Sequence, residues 1–580
     1  MTAMQLPERD IHGLYDPRFE HDACGIGFVA RISGKADHST LSMALEALCN
    51  LEHRGAVADD AKTGDGAGVL VQLPRELLLR ELAAQGRTAE PDRLALGMFF
   101  LPQDEAQREA ARAIAVQAIE TRGFSILAWR DVPVNPDALG ARSREAMPYI
   151  CQAIIERPSG GPTTICERGL YLARKQMEAA FVAQRLHAYV PSLSANTVVY
   201  KGLLLGTNLA DFYDDLRDPA FLTAIAVYHQ RYSTNTFPTW ERAQPFRMLS
   251  HNGEINTIQG NANWMHSREA ELALPEDFIP GRPDESALLT PVLDTDGSDS
   301  TQLDNALEMI VIAGRDIRHA MTMLVPEAWE KIPDLSPALR AFYQYHACLI
   351  EPWDGPAALT FSDGRIVGTT LDRNGLRPAR YIVTDDGLVI SGSEVGAVQI
   401  DDARIVHKGK LGPGQMIAVD TVSGQFYTDE EIKASLAARQ PYDLWLSQHM
   451  HSLESLDLGA GLSAETPEIS AEPVALSALQ MAFGYTSEEL NVVVRPMLTT
   501  GQEPIGSMGD DTPSAVISQL ELGRPLFQFF KQRFAEVTNP PIDSLREDLV
   551  MSLSVAVGIR RNLLAETPEH CHLLQLTSPV

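Results

Sequence analysis

No stretch of the 580 residues approaches the roughly 20 consecutive apolar residues that a membrane-spanning helix needs. Basic residues are scarce: 48 Lys and Arg face 77 Asp and Glu, a formal net charge of −29. That balance excludes nucleic acid as a partner, because phosphate neutralisation requires a basic surface, and it excludes docking on anionic lipid. Cysteine is sparse too. Six are present without a C-x-x-C pair, which rules out a disulfide framework and a metal ribbon and makes a reducing cytoplasm the expected compartment. Residues 1–23 lack a basic patch followed by an apolar core, so they do not read as a secretory signal. Neither G-x-G-x-x-G nor G-K-[ST] occurs, which leaves nucleotide binding without its phosphate cradle. The remainder, 44% hydrophobic and 22% charged, is ordinary for a globular chain long enough for several domains.

One stretch organises what is there. Asp22-Ala23-Cys24-Gly25-Ile26-Gly27-Phe28-Val29-Ala30 places a cysteine before an alternating run, Ile26, Phe28 and then Ile32. The pattern predicts a half-buried strand with Cys24 at its mouth. A thiol held there is either a nucleophile or a small buried apolar group. Ahead of it lies a polar, turn-forming leader containing Pro7, Gly13 and Pro17. That leader is either a frayed terminus or a propeptide of residues 1–23, whose removal would make Cys24 the first residue.

Helical spacing of Leu41, Ala44, Leu45, Leu48 and Leu51 follows, closed by LEHRG. The glycines of KTGDGAG predict a tight turn beside the Cys24 strand. Further elements alternate without βαβ regularity: helices at 75–84 and 104–121, strands at 95–100, 124–129 and 224–229, and no clear signal over 137–162. This favours a mixed α/β layered fold over a doubly wound one. Residues 364–396 read as strands punctuated by Asp363-Gly364, Asn374-Gly375 and Asp386-Gly387. A boundary is expected near 430, a linker over 431–474, and a second compact region from 475 to 580 with helices near 476–481, 525–534 and 543–564. The apolar 575–580 stretch ends without a cap, as an incomplete last domain would.

Chemistry gathers in three places. Arg231, in YHQRYSTNTFPTW, heads a hydroxyl- and amide-rich loop containing Thr234; its guanidinium suits a carboxylate, or pairs structurally with an acidic neighbour. Asn252-Gly253, in FRMLSHNGEINT, offers a side-chain amide and a peptide N–H that could form an oxyanion hole; Asn-Gly is equally a hairpin dipeptide. Asp299, in GSDSTQLDNALEM, is either a helix cap or a carboxylate aimed at an ammonium. Together with Cys24 these residues describe a site for a zwitterionic amino acid carrying a side-chain acyl group. No histidine stands in an obvious Cys–His arrangement, yet a thiol needs a base. A free α-amine, with a reference pKa near 7.7–8.0, lies close to a thiol's value of about 8.5 and could serve once the leader is gone.

The strings CGIGFVA, LEHRGA, KTGDGAG, HQRYSTNTFPTW, HNGEINT, GSDS, EPWDGPAAL, DRNGLRPARY and SGSEVG resemble the class II glutamine amidotransferase domain of glutamate synthase large subunits. AFGYTSEEL, PIGSMGDDTP, RPLFQFFKQRFAEVTNPPIDSLRE and LVMSLSVAVG resemble the opening of that family's central domain. The resemblance implies a four-layer αββα N-terminal-nucleophile hydrolase domain over 24–430, followed by part of a second α/β domain. It implies that Cys24 is the nucleophile, Asn252 and Gly253 the oxyanion donors, and Arg231, Thr234 and Asp299 the contacts to L-glutamine. It implies no cofactor on this chain. FMN and an iron–sulfur cluster belong to C-terminal synthase domains beyond residue 580, and FAD to a small subunit that supplies electrons where ferredoxin does not. Two rivals are another class II amidotransferase and a non-catalytic glutamine-binding module.

Overall fold

The computed structural model describes residues 24–58, 60, 62–158, 162–231, 237–275, 278–281, 284–394, 396–452, 475–483, 485–501 and 554–576. The leader 1–23, Thr234 and the expected helix at 525–534 lie outside these residues. In chain order the strands are β1 Gly25–Arg31, β2 Ala67–Gln72, β3 Leu94–Leu101, β4 Ser125–Asp131, β5 Tyr149–Glu156, β6 Tyr189–Ser194, β7 Thr197–Gly202, β8 Ile225–Gln230 and β9 Leu249–Gly253. There follow β10 Ala357–Ser362, β11 Ile366–Leu371, β12 Arg380–Thr384, β13 Leu388–Gly392, β14 Ile405–Lys410, β15 Met416–Asp420, β16 Gln425–Tyr427, β17 His451–Ser452, β18 Val555–Val557 and β19 Leu574–Leu576.

Two sheets face each other. One has seven strands in the order β14-β12-β13-β1-β8-β2-β7; the other has five, β16-β15-β11-β10-β9. Side-chain alternation builds the layers. Ile26, Phe28 and Ala30 of β1 meet Val227, Ala358, Val367 and Ile417 in the core between the sheets. On the opposite face of β1, Val29 packs with Leu41, Ala44 and Leu48 of helix His38–Asn50. The five-stranded sheet turns Leu359, Phe361 and Met416 the other way, toward Leu303, Leu307 and Ile310 of helix Asp299–Ile312. The result is helix, sheet, sheet, helix.

The strand expected to be half-buried is therefore buried on both faces along Gly25–Ala30. Its second face carries Gly25 and Gly27, so the alternation of large residues looked like exposure. Gly27 is closely surrounded: a Cβ there would come within 2.3 Å of the Tyr228 hydroxyl. A further sheet, β4-β5-β3-β6, buries one face under helices Glu105–Glu120 and Thr163–Ala183. Its strand β5 lies in the stretch that gave no signal. YICQAIIE is buried on both faces, and Gln152 within it bonds Arg130 and the Tyr200 hydroxyl, so neither polarity nor period betrays it.

The turns at Gly364, Gly375 and Gly387 all adopt positive φ, as the dipeptides required. Asn374-Gly375 is no hairpin, however. It joins β11 in one sheet to β12 in the other. The KTGDGAG loop lies one strand from the place expected, since β2 pairs with β7 and β8 rather than β1.

By contacts the chain divides into two units, residues 1–453 with 541–580, and residues 454–540. Within the first, helices Asp429–Ala437 and Tyr442–His449 place Ile432, Leu436, Tyr442 and Leu446 in the core, inside the stretch expected to begin a linker. Leu563, Leu564, Cys571 and Leu573 join that same core, and β19 pairs with β17. The described part of the helix expected over 543–564 is strand β18 and coil: its apolar residues anchor a short three-stranded sheet instead of forming a helix face. In the second unit, helix Leu476–Ala482 stands where expected. Among the described residues no helix is long and apolar enough to cross a membrane.

Candidate active site

The antiparallel register pairs Gly25 with Gln230, so one step further Cys24 stands across from Arg231. Cys24 is half-buried and packs at the edge of the inter-sheet core. Arg231 is buried; its N–H donates to the Gly66 carbonyl at 2.8 Å and its Nη1 to the Arg242 carbonyl at 3.1 Å. The glycine-rich loop thus holds the backbone of Arg231. Burial pulls the Arg231 pKa below its usual value, opposed by the neighbouring Cys24, Asp65 and Asp299. Those interactions bring the thiol, the guanidinium and the carboxylate into one neighbourhood.

Across the sandwich, β9 ends at the same place. Its register pairs Asn252 with Ala358 and Gly253 with Ala357, which excludes the hairpin reading of Asn-Gly. The Asn252 Nδ2 donates to the Cys24 carbonyl at 2.8 Å, with Asn252 itself buried. Gly253 has φ +143°, and a Cβ there would lie 1.7 Å from the Pro356 carbonyl oxygen, so only glycine fits. The sheets therefore deliver the sulfur from one side and the amide from the other.

Helix Asp299–Ile312 closes the group. Ser298, not Asp299, is the N-cap: its hydroxyl receives the Thr301 N–H in a capping box. Asp299 is left with another task. Its Oδ2 accepts the Ile255 N–H at 2.8 Å and its Oδ1 accepts the Ser300 N–H at 2.6 Å, with the side chain 22% exposed. The structure thus gathers Cys24, Arg231, Asn252, Gly253 and Asp299. Three neighbours were not singled out as site residues: Asp65, Ser300 and His251. The last sits inside the quoted SHNGEINT string, where its burial between two sheets is invisible.

The described residues contain one group of three with metal-ligand chemistry, His319, His346 and Glu566. It does not fit a metal. The two Nε2 atoms are 2.6 Å apart, a hydrogen-bond length, whereas ligands on zinc at 2.0–2.1 Å stand about 3.3 Å apart in a tetrahedron. Nδ1–H of His346 donates to the Phe342 carbonyl at 2.7 Å, so its Nε2 accepts the proton of His319. Arg315 and Arg439 already attend Glu566. A cavity of about 310 Å³ lies nearby, between helices Ile317–Leu324 and Pro337–Ala347 and the 554–575 segment; none of the five gathered residues lines it.

A thiol leads a central strand of an αββα sandwich, with an amide brought to it from the facing sheet and a carboxylate from the start of helix Asp299–Ile312. Residues 24–445 match the family model of class-II glutamine amidotransferases, and residues 478–580 that of the glutamate synthase central domain. The chain belongs to the class-II glutamine amidotransferase family, and its layers run helix, sheet, sheet, helix. It is 43% identical to the glutamate synthase [NADPH] large chain of Bacillus subtilis over all of its length, and 45% identical to that of Azospirillum brasilense over 98%. A ferredoxin-dependent glutamate synthase 2 of Synechocystis is 44% identical over 97%. The chain spans 35–37% of the length of these relatives.

Proposed function

We propose that this chain hydrolyses L-glutamine to glutamate and ammonia as the amidotransferase part of a glutamate synthase. The observation that carries the reading is the Asn252 amide held 2.8 Å from the Cys24 carbonyl, with Arg231 and Asp299 beside it. Removal of residues 1–23 exposes the Cys24 amine. That amine takes the thiol proton, and the thiolate attacks the side-chain carbonyl carbon of glutamine. The developing oxyanion is met by Asn252 Nδ2 and the Gly253 N–H. The ammonium formed on Cys24 returns its proton to the departing nitrogen, the C–N bond breaks, and ammonia leaves a γ-glutamyl thioester. Water, giving a proton to the Cys24 amine, then attacks the thioester; the thiolate departs, takes that proton back, and glutamate is released. Arg231 receives the α-carboxylate and Asp299 the α-ammonium; Thr234 adds a contact from the adjoining loop.

The ammonia is passed on to make a second glutamate from 2-oxoglutarate, in synthase domains that carry FMN and an iron–sulfur cluster. Electrons come from an FAD-bearing small subunit or from ferredoxin; relatives of both kinds match equally well. The location we assign is the cytoplasm, where the six thiols stay reduced. The test is an assay of the chain beginning at Cys24 against its Cys24→Ala variant. Equimolar ammonia and glutamate from the first and none from the second support the reading; release by both contradicts it.

A further inference from the structure

His251 is a histidine the reaction does not use, sealed inside the sandwich. Its side chain is fully buried. Its backbone lies in β9, one residue before Asn252, and its carbonyl accepts from Nε2 of His229, on β8 of the facing sheet, at 3.1 Å. Its ring reaches the other way: Nδ1 lies 2.8 Å from the Ser300 hydroxyl. That hydroxyl in turn lies 3.1 Å from Asp299 Oδ1.

The proton count along this chain is determined. A hydroxyl has one proton, and an ionised carboxylate can only accept. Ser300 therefore gives its proton to Asp299 and offers a lone pair to His251, so His251 carries its proton on Nδ1. The other nitrogen agrees: Nε2 is buried and has no hydrogen-bond partner among the described residues. Burial holds the His251 pKa below its usual value, against the pull of Asp299, so the ring is a neutral donor. An aliphatic side chain would fill the space without the cost of an unsatisfied buried nitrogen, so the imidazole needs a reason to be there. The reason is at the end of the chain. Oδ1 of Asp299 receives both the N–H and the hydroxyl of Ser300 and Oδ2 receives the Ile255 N–H, so the carboxylate plane is fixed and one lone pair, on Oδ2, is left for a ligand.

We propose that His251 and Ser300 are positioning residues that fix the Asp299 carboxylate for the substrate's α-ammonium, and so set the preference for an amino acid over a plain ω-amide acid. The proposal rests on the amidotransferase reading and adds the element that orients its ammonium contact. Neither side chain touches the reacting atoms, so their loss raises KM and leaves kcat in place.

The experiment uses the full chain beginning at Cys24, with L-glutamine as substrate and 4-carbamoylbutanoate, which lacks only the ammonium, as competitive inhibitor. Ser300→Ala removes one oxygen atom and is the variant least prone to misfold; His251→Leu removes the donor, and His251→Asn returns an N–H close to the Nδ1 position. The expected result is a glutamine KM raised about fivefold to tenfold in Ser300→Ala and His251→Leu, the worth of one buried hydrogen bond. The inhibition constant of the analogue stays within about twofold, since the lost bond serves only the ammonium contact. His251→Asn falls back toward the parent. Equal weakening of both ligands, a fall in kcat alone, or no change in Ser300→Ala overturns the proposal. A parent that releases no ammonia from glutamine overturns the underlying reading instead, and is distinguished by that alone.

Discussion

Two buried arginines lie within reach of one helix and are treated in opposite ways. Arg174 bonds Glu178 at 2.6 Å and also Glu308, in the middle of helix Asp299–Ile312, while Arg247 reaches Glu178 at 2.8 Å. Burial opposes every charge in that network, yet Glu178 and Glu308 raise the Arg174 pKa, and the surrounding cations bring Glu178 down to about 2. Its charges are answered from within. At the N-terminus of the same helix, Asp299 faces Arg231, whose pKa is lowered because burial outweighs its negative neighbours. A guanidinium in that condition is stabilised by an arriving carboxylate. The first arrangement holds helices together; the second, under the proposed function, serves the substrate carboxylate.

The contrast can be broken at several points. Arg174→Met strands the Glu308 carboxylate and is expected to destabilise the fold by about 3–5 kcal/mol, read by denaturant unfolding. Asn252→Ala removes the proposed oxyanion donor and is expected to slow glutamine cleavage by about 2.7–4 kcal/mol in the barrier, roughly two to three orders of magnitude in kcat, with stability little changed. Arg231→Met is expected to cost less stability than Arg174→Met, because the carboxylates nearest it, Asp65 and Asp299, are only partly buried. It should weaken glutamine by about 1.5–3 kcal/mol, a rise of roughly tenfold to 150-fold in KM. If Arg231→Met instead unfolds the chain as Arg174→Met does, the two arginines serve the same purpose.

A further effect concerns pH. Glu167, enclosed beneath the Ala195 N–H and the Ser194 hydroxyl, is pushed up to about 7 by burial, with Asp363 and Glu308 adding to the rise. A carboxyl whose pKa is raised on folding holds its proton more tightly in the fold. Its contribution is complete below the unfolded value near 4.3 and is lost as pH rises through about 7. Stability should fall by at most about 1.4 kcal/mol per pH unit in that window, and Glu167→Gln should flatten the slope.

Much of this is legible in the sequence. The Cys24 strand, helix 75–84 and the positive-φ turns follow from alternation, spacing and glycine chemistry, all local signals. The gathered residues Cys24, Arg231, Asn252, Gly253 and Asp299 stood in strings whose chemistry suggested one site. What could not be read was relational. His251 gains meaning only when β9 lies beside the start of helix Asp299–Ile312 and across from His229. The second face of β1 was hidden by its glycines, and β5 by a buried glutamine that is paid for by Arg130 and Tyr200. The KTGDGAG loop suggested a neighbour of β1, because nothing in its residues announces that β8 intervenes.

The central claim is that the Cys24 sulfur and the nitrogen of its own residue act together on a side-chain amide. Ammonia release from glutamine, measured on the chain beginning at Cys24 before and after selective acetylation of its terminal amine, tests it most directly. Loss of release on acetylation, with the thiol still titratable, is the result predicted. Undiminished release from the acetylated chain would contradict it.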